Sequence, residues 1–309
     1  MISGKTILVT GGAGFVGSHI ADHLVEDNDV YVLDNLTSGD PDNVPDGAEL
    51  VVDDIRNAGA FDSVPDADVV FHQAALVSVP ASIDEPTRSH AINVAGSLNV
   101  LEYARDVDAR VVLASSTAVY GDASTLPTPE SEPITPNSPY GIDKATVDRY
   151  ARTYHELYGV ETVALRYFNI YGPRQGGEYS GVISIFLEKA LNDDPITVHG
   201  DGSQTRDFVH VDDVVQANLL AATTEHVGEA YNVGTGREVS VRELAETIRE
   251  VTGSDSEIVY TESREGDIDR SVADLGKARE KLGYVPRVGV SEGLAGFVKS
   301  QSEQIPQIQ

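Results

Sequence analysis

Short apolar runs separated by stretches of helical spacing constrain this chain more than any other feature. Thr6–Thr10, Val30–Asp34, Glu49–Val52, Val69–Gln73 and Arg110–Ser115 are compact runs dominated by aliphatic side chains. Between them, residues 14–25 and 89–106 carry apolar side chains at helical intervals, the second through Ile92, Leu98, Leu101 and Ala104. A strand apolar on both faces must be covered on both faces, and a helix after a strand supplies that cover. The pattern predicts an α/β fold built on a doubly wound parallel sheet. After a loop with five prolines, Leu126–Pro139, a long helix is expected over Tyr140–Leu157 and a strand over Val160–Tyr167. Beyond it, short strands (Ile196–His199, Arg206–His210) mix with short helices near 182–190, 212–222, 241–251 and 275–282. Residues 1–170 are therefore expected to form the sheet domain, and 171–309 a smaller mixed α/β lobe interleaved with it. The polar end from Gln301 is expected to fray.

The first run leads directly into Gly11-Gly12-Ala13-Gly14-Phe15-Val16-Gly17. Glycines at this point allow a tight turn, close approach of backbone to a pyrophosphate, and helix-on-strand packing, and the following helix turns its positive end to the phosphates. Asp34 ends the second run, 20 residues after Gly14, where a carboxylate meets the hydroxyls of a ribose. The same charge repels a 2′-phosphate, so NAD is expected over NADP in a Rossmann-type domain. Asp53-Asp54-Ile55 follows the third run, where a carboxylate could reach an adenine amino group or simply face solvent.

Tyr140 and Lys144 stand one helical turn apart on one face. An ammonium beside a phenol, together with a positive nicotinamide, favours the phenolate, making Tyr140 a usable base near neutral pH. Ser115-Ser116-Thr117 ends the fifth run, at the carboxyl edge where open α/β sheets bind ligands, and a hydroxyl there can relay a proton. His19 and His23 form an i,i+4 pair, a metal spacing without a third ligand in sequence, and no metal is expected.

Composition narrows the partners. The 309 residues carry 22 Lys and Arg against 50 Asp and Glu, for a net charge of −28, and only 6 of the cations are Lys. That field repels nucleic acid and anionic membrane, so neither is expected as a partner. The acids are spread along the chain, as on a solvated surface adapted to concentrated salt, which screens their repulsion. With no Cys, disulfides and thiol chemistry are excluded. No run approaches the ~18 apolar residues of a membrane span, and the N-terminus reads as a strand rather than a signal peptide. A cytoplasmic protein, of halophilic type, is expected.

In order along the chain, Thr10–Gly17, Leu33–Gly39, His72–Ala75, Ala114–Gly121, Ser138–Lys144, Arg166–Pro173, Asp201–Asp213 and Arg264–Asp274 resemble the extended short-chain dehydrogenase/reductase family. Within it they are similar to NAD-dependent nucleotide-sugar 4-epimerases of the UDP-glucose 4-epimerase kind. The resemblance implies that Tyr140 is the catalytic base, that Lys144 lowers its pKa and binds the nicotinamide ribose, and that Ser116 bonds the reacting 4-hydroxyl. It implies cofactor contacts from Gly11, Gly14, Phe15, Val16, Gly17, Asp34, Asn35, Ser38, Gly39, Asp54, Ile55, Gln73 and Ala75. Asn169, Arg206, Arg264 and Asp267 would hold the sugar diphosphate and uridine ribose. Ser271, small where bulk narrows the sugar pocket, would admit a 2-acetamido group. Thr117 is followed by Ala118-Val119 rather than Asp-Glu, which argues against a dehydratase. C4 epimerisation of a UDP-hexose (UDP-Glc/UDP-Gal and also UDP-GlcNAc) is the expected reaction. A UDP-glucuronate 4-epimerase or decarboxylase is the alternative, and a homodimer through the 89–106 and 140–157 helices is the implied assembly.

Overall fold

The computed structural model describes residues 2–176, 181–263 and 268–304. Its centre is a sheet of β1 (Thr6–Thr10), β2 (Asp29–Asp34), β3 (Glu49–Val52), β4 (Val69–His72), β5 (Arg110–Ser116), β6 (Thr162–Tyr167) and, from late in the chain, β11 (Glu229–Val233), in the order β11-β6-β5-β4-β1-β2-β3. Every pairing is parallel, so all the strands end at one edge. Side chains alternate between two cores. Ile7, Val9, Phe71 and Val112 pack on one face, and Leu8, Val70, Val111 and Leu113 on the other. Both cores are needed because β1, β4 and β5 are sealed on both sides, as the unbroken apolar runs require.

The first face is covered by α1 (Phe15–Leu24) and α7 (Val211–Ala221), and the second by α4 (Ser97–Val107) and α5 (Pro139–Tyr158). Ser138 starts α5: its hydroxyl accepts from Gly141 N at 3.1 Å, with Pro139 at the first helical position and Gly159 ending the helix at φ +75°. Ahead of α4, α2 (Val79–Asp84), α3 (Pro86–His90) and a π-helical stretch over Ala91–Gly96 break the single helix expected from residue 89. The smaller lobe comprises β7 (Asn169–Tyr171), α6 (Val182–Leu191), β8 (Ile196–His199), β9 (Thr205–Arg206), β10 (Phe208–His210), β12 (Val239–Ser240), α8 (Val241–Thr252), β13 (Ile258–Thr261), α9 (Gly276–Leu282) and α10 (Val290–Gln304). Much of it shares a third core around Phe186, Leu187, Leu244, Ile248 and Phe297.

The expected strand Arg206–His210 is two strands, split at Asp207. That carboxylate is fully buried and accepts from Thr235 N, Thr235 Oγ1, Gly236 N and Ala273 N at 2.6–3.1 Å. Four donors from two other segments satisfy it, and the backbone changes partner there: Thr205–Arg206 pairs antiparallel with β12 and Phe208–His210 parallel with β7. Among the described residues no helix is long and apolar enough to cross a membrane.

Candidate active site

The ends of β1, β2, β4, β5 and β6 open into one cleft of about 490 Å³, where strand order reverses between β1 and β4, the place at which open α/β sheets take ligands. At one end lies the glycine turn. Gly11 has φ +68°, and a Cβ there would stand 2.6 Å from Ala74 N. A Cβ on Gly17 would stand 2.2 Å from Gly11 O. Gly14 caps α1 without a side-chain hydrogen bond, and Phe15 and Val16 line the cleft, so the positive end of the helix is presented to it. Asp34 completes this end. Its Oδ2 accepts from Ala13 N at 3.0 Å and its Oδ1 from Leu36 N at 2.9 Å. Each oxygen keeps a lone pair for another donor. Burial pushes this carboxyl up, and the two backbone donors oppose the shift. Gly39 backs the carboxylate from outside the lining, since a Cβ there would come within 3.0 Å of Oδ2. A bare backbone cradle beside a carboxylate with acceptor capacity to spare fits a dinucleotide.

Further along, Asn35, Ser38, Asp54 and Ile55 line the cleft. Asp54 accepts from Asn35 Nδ2 at 2.8 Å and from Arg56 Nε and Nη2 at 2.9 and 2.7 Å. Hydrogen bonding to Arg56 holds its carboxyl well below the ordinary carboxylate range. Ile55 reaches the cleft because Gly96 leaves room: a Cβ there would meet Ile55 Cδ1 at 2.7 Å. Gln73 and Ala75 lie on the exit from β4. Asn93 fixes that exit by bonding both Leu76 N (2.8 Å) and Leu76 O (3.0 Å). The sequence alone did not single out Asn93; its signal was a run of polar residues at i,i+4 spacing, Ser89, Asn93 and Ser97, all buried.

At the other end, Ser116 closes β5, and its Oγ accepts from Ala118 N at 3.1 Å. Tyr140 and Lys144 enter from the first turns of α5, both buried. Lys144 Nζ donates to Ala114 O at 2.8 Å and lies 6.0 Å from the centre of the Tyr140 ring. Burial lowers the Lys144 ammonium to a pKa of about 8, with the Asp143 carboxylate opposing the shift. The expectation that Lys144 lowers the Tyr140 phenol is not met in the protein alone. Burial raises the phenol, and only a hydrogen bond with the Ser116 side chain opposes it. A ring sealed against Ser116 loses more from desolvation than an ammonium at this distance returns. Beneath the pair, Asp148 accepts from Ser115 Oγ at 3.1 Å and from Arg166 Nε at 2.9 Å, tying α5 to β5 and β6.

Asn169, Phe168 and Phe208 line the far wall, and Asn169 Nδ2 donates to Asp207 O at 3.3 Å. Arg206 and Ser271 lie outside the lining. Arg206 Nη1 donates to Thr205 O and Ile268 O at 2.8 and 2.5 Å, and Ser271 N bonds Thr205 O at 3.2 Å. The lobe's own backbone holds them. Arg264 and Asp267 lie outside the described residues. His19 Nε2 is bonded to Pro173 O at 3.0 Å and His23 Nδ1 to His19 O at 2.9 Å. Beside them, Arg174, which does line the cleft, pairs with Asp22 at 2.6 Å. The two histidines thus bond backbone near the contact that joins α1 to the loop after β7.

Comparison with known proteins gives this geometry a family. A homologue from Methanocaldococcus jannaschii, provisionally named a UDP-glucose 4-epimerase, is 46% identical over 94% of this chain and 97% of its own. The crystal structure of a Thermotoga maritima UDP-glucose 4-epimerase with UDP-glucose is similar at a TM-score of 0.93 and 40% identity, over 96% of this chain and 99% of that one. A UDP-N-acetylglucosamine 4-epimerase from Methanobrevibacter ruminantium, in complex with UDP-N-acetylmuramic acid, is similar at a TM-score of 0.94 and 38% identity, over 98% and 100% of the two chains. Residues 7–234 match the NAD dependent epimerase/dehydratase family as a whole. The glycine turn, Asp34 and the Tyr140–Lys144 helix all fall inside that match, and the chain belongs to the NAD dependent epimerase/dehydratase family.

Proposed function

We propose that this protein interconverts the C4 epimers of a UDP-hexose, UDP-Glc with UDP-Gal and also UDP-GlcNAc with UDP-GalNAc. The observation that carries the reading is the convergence of Ser116, Tyr140 and Lys144 at one end of a cleft whose other end is a dinucleotide cradle. NAD, when bound, supplies a hydride acceptor and donor. Everything else falls to the chain. Tyr140 takes the proton of the 4′-hydroxyl and later returns it, Ser116 holds that hydroxyl, and Lys144 supplies positive charge next to the phenol. Gly11, Gly14, Phe15, Val16 and Gly17 bind the cofactor pyrophosphate, and Asp34 its ribose. Asn169, from the cleft wall, holds the UDP arm with Arg264 and Asp267, and Arg206, whose guanidinium bonds Thr205 O and Ile268 O outside the lining, joins them by turning toward the cleft. Binding concentrated on that arm leaves the keto sugar free to turn its other face. Ala118 and Val119 follow Thr117, so no carboxylate stands there to expel water, which favours epimerisation over dehydration. Tolerance of an acetamido group rests on the small Ser271 by resemblance alone, since it lies outside the cleft lining. The relatives described above differ in the sugar named, so the hexose is decided by assay.

The test is to incubate the enzyme with UDP-Glc, UDP-GlcNAc and UDP-GlcA separately, without added NAD, and look for the C4 epimer. Epimer from the first two is expected. Release of CO₂ from UDP-GlcA would instead favour a decarboxylase on this scaffold, and net NADH formation would rule out an epimerase. We also propose a homodimer through α4 and α5. Along α5, Ile142, Tyr150 and Leu157 are exposed within one stripe, an apolar face that a second copy would cover. Light scattering that finds only 33.0 kDa particles would refute it.

A further inference from the structure

We propose that Asn218, which does not itself line the cleft, is a positioning residue that decides which edge of the Gln73 amide the cofactor meets. The inference rests on the cleft binding a dinucleotide. Asn218 sits in α7 and is fully buried. Its Nδ2 donates to Val214 O, one turn back, at 2.8 Å and to the Tyr167 hydroxyl at 2.8 Å. A backbone carbonyl only accepts, so the amide nitrogen must lie on that side. The oxygen Oδ1 is thereby turned to Gln73 and accepts from Gln73 Nε2 at 3.2 Å; the Tyr167 hydroxyl, which accepts from Nδ2, has a single proton, and in this arrangement it goes to Gln73 Oε1 rather than to Oδ1, 3.1 Å away. An acceptor in that place admits only the N–H edge of Gln73. Gln73 Oε1 then faces the Tyr167 hydroxyl at 3.3 Å. Were Gln73 flipped, its carbonyl would oppose the Asn218 carbonyl in a buried setting, where an unmatched polar contact is costly.

Orientation thus passes from a helix carbonyl to Asn218 and from Asn218 to Gln73. The Tyr167 phenol reinforces it, because burial raises its pKa to about 12 and the O–H remains a donor. Gln73, at the end of β4 and half-buried in the lining, keeps one N–H and one lone pair for a ligand. These are a fixed donor and a fixed acceptor. Without Asn218 the same amide would rotate, and a bound dinucleotide would have to order it.

The experiment is a titration of the full chain, first freed of any nucleotide it carries, with NADH, followed by nicotinamide fluorescence; the protein has no Trp to interfere. Wild type must bind, and its failure to do so would overturn the dinucleotide reading itself rather than the role of Asn218. With binding established, Asn218→Ala is expected to weaken NADH about tenfold in the wild-type background and less than twofold in a Gln73→Ala background. The near-isosteric Asn218→Leu removes both the acceptor and the donors without leaving a cavity and runs the same cycle if Asn218→Ala does not fold. A folded Asn218 variant whose Kd stays within twofold of wild type overturns the proposal. So do equal losses in both backgrounds, the pattern of a residue that merely supports the fold.

Discussion

Tyr140→Phe removes one oxygen from a buried ring and leaves the packing of α5 in place. On the proposed chemistry it costs on the order of 10³-fold or more in turnover, because general base catalysis is lost. Binding of UDP, made elsewhere, should stay within a few-fold, and a variant that epimerises at near the wild-type rate would show that another group moves the proton. On the same proposal Lys144 sets the pH range. With a pKa of about 8, its ammonium is present below that pH and lost above it, so turnover should fall on the alkaline side near pH 8. Asp143 holds that limb up. It is buried, accepts from Ser89 Oγ at 2.6 Å, and meets His90 Nδ1 at 3.2 Å. Asp143→Asn removes the carboxylate that favours the ammonium and should move the limb down by about one pH unit, as a kcat/KM profile would reveal. Stability runs the other way. A cation whose pKa is lower folded than unfolded opposes folding while charged, in full below pH 8. That penalty, on the order of 3 kcal/mol, is relieved as pH rises from about 8 toward the ordinary lysine value of 10.5. The spacing of Tyr140 and Lys144 was legible in sequence. Their depth was not, because burial arises from segments 25 to 60 residues earlier, such as Ala114 and Ser82, which contact them only after folding.

The β1–α1 turn holds the cradle together at the scale of elements. Gly17 and Gly11 approach more closely than any Cβ tolerates, so Gly17→Ala must push α1 away from β1. A cost of about 2–3 kcal/mol follows from forced overpacking, and NADH binding should suffer more than the fold does. Gly289→Ala is the control, since a Cβ there meets nothing within 4 Å and its effect should remain within about ±0.5 kcal/mol. Thermal unfolding of the two variants makes the comparison, and equal melting shifts would deny the turn its special tightness. This turn was readable because it is local: a strand, four glycines and the start of a helix lie in the twelve residues Thr6–Gly17. β11 was not. Glu229–Val233 is a short run with a Glu and an Asn, and it is a sheet strand only because β6 lies alongside it, with Ala230 opposite Ala164 and Tyr231 opposite Leu165. The π-helical stretch ahead of α4 was hidden for a similar reason. Its residues are helical by spacing, and what sets them apart is the demand for Asn93 beneath Leu76 and for Gly96 against Ile55.

For the molecule as a whole, the excess of 50 acids over 22 cations meets a fold that pairs most of its cations already. Arg56 is spent on Asp54, Arg110 on Glu161, Arg166 on Asp148 and Arg270 on Glu238. The acids left over repel one another across the surface, and folding concentrates them. Screening acts on that repulsion: the Debye length falls from about 10 Å at 0.1 M salt to about 3 Å at 1 M. We therefore expect the melting temperature to climb with KCl, by on the order of 10 °C between 0.05 and 1 M, equivalent to several kcal/mol for a chain of this size. The steepest rise belongs below about 0.3 M, where the screening length changes most. Strengthened apolar burial would behave differently, favouring sulfate over chloride at equal ionic strength and still rising above 1 M. A protein equally stable at 0.05 M and 1 M KCl would mean that its charges are too far apart to interact, and the acidic surface would then owe nothing to salt.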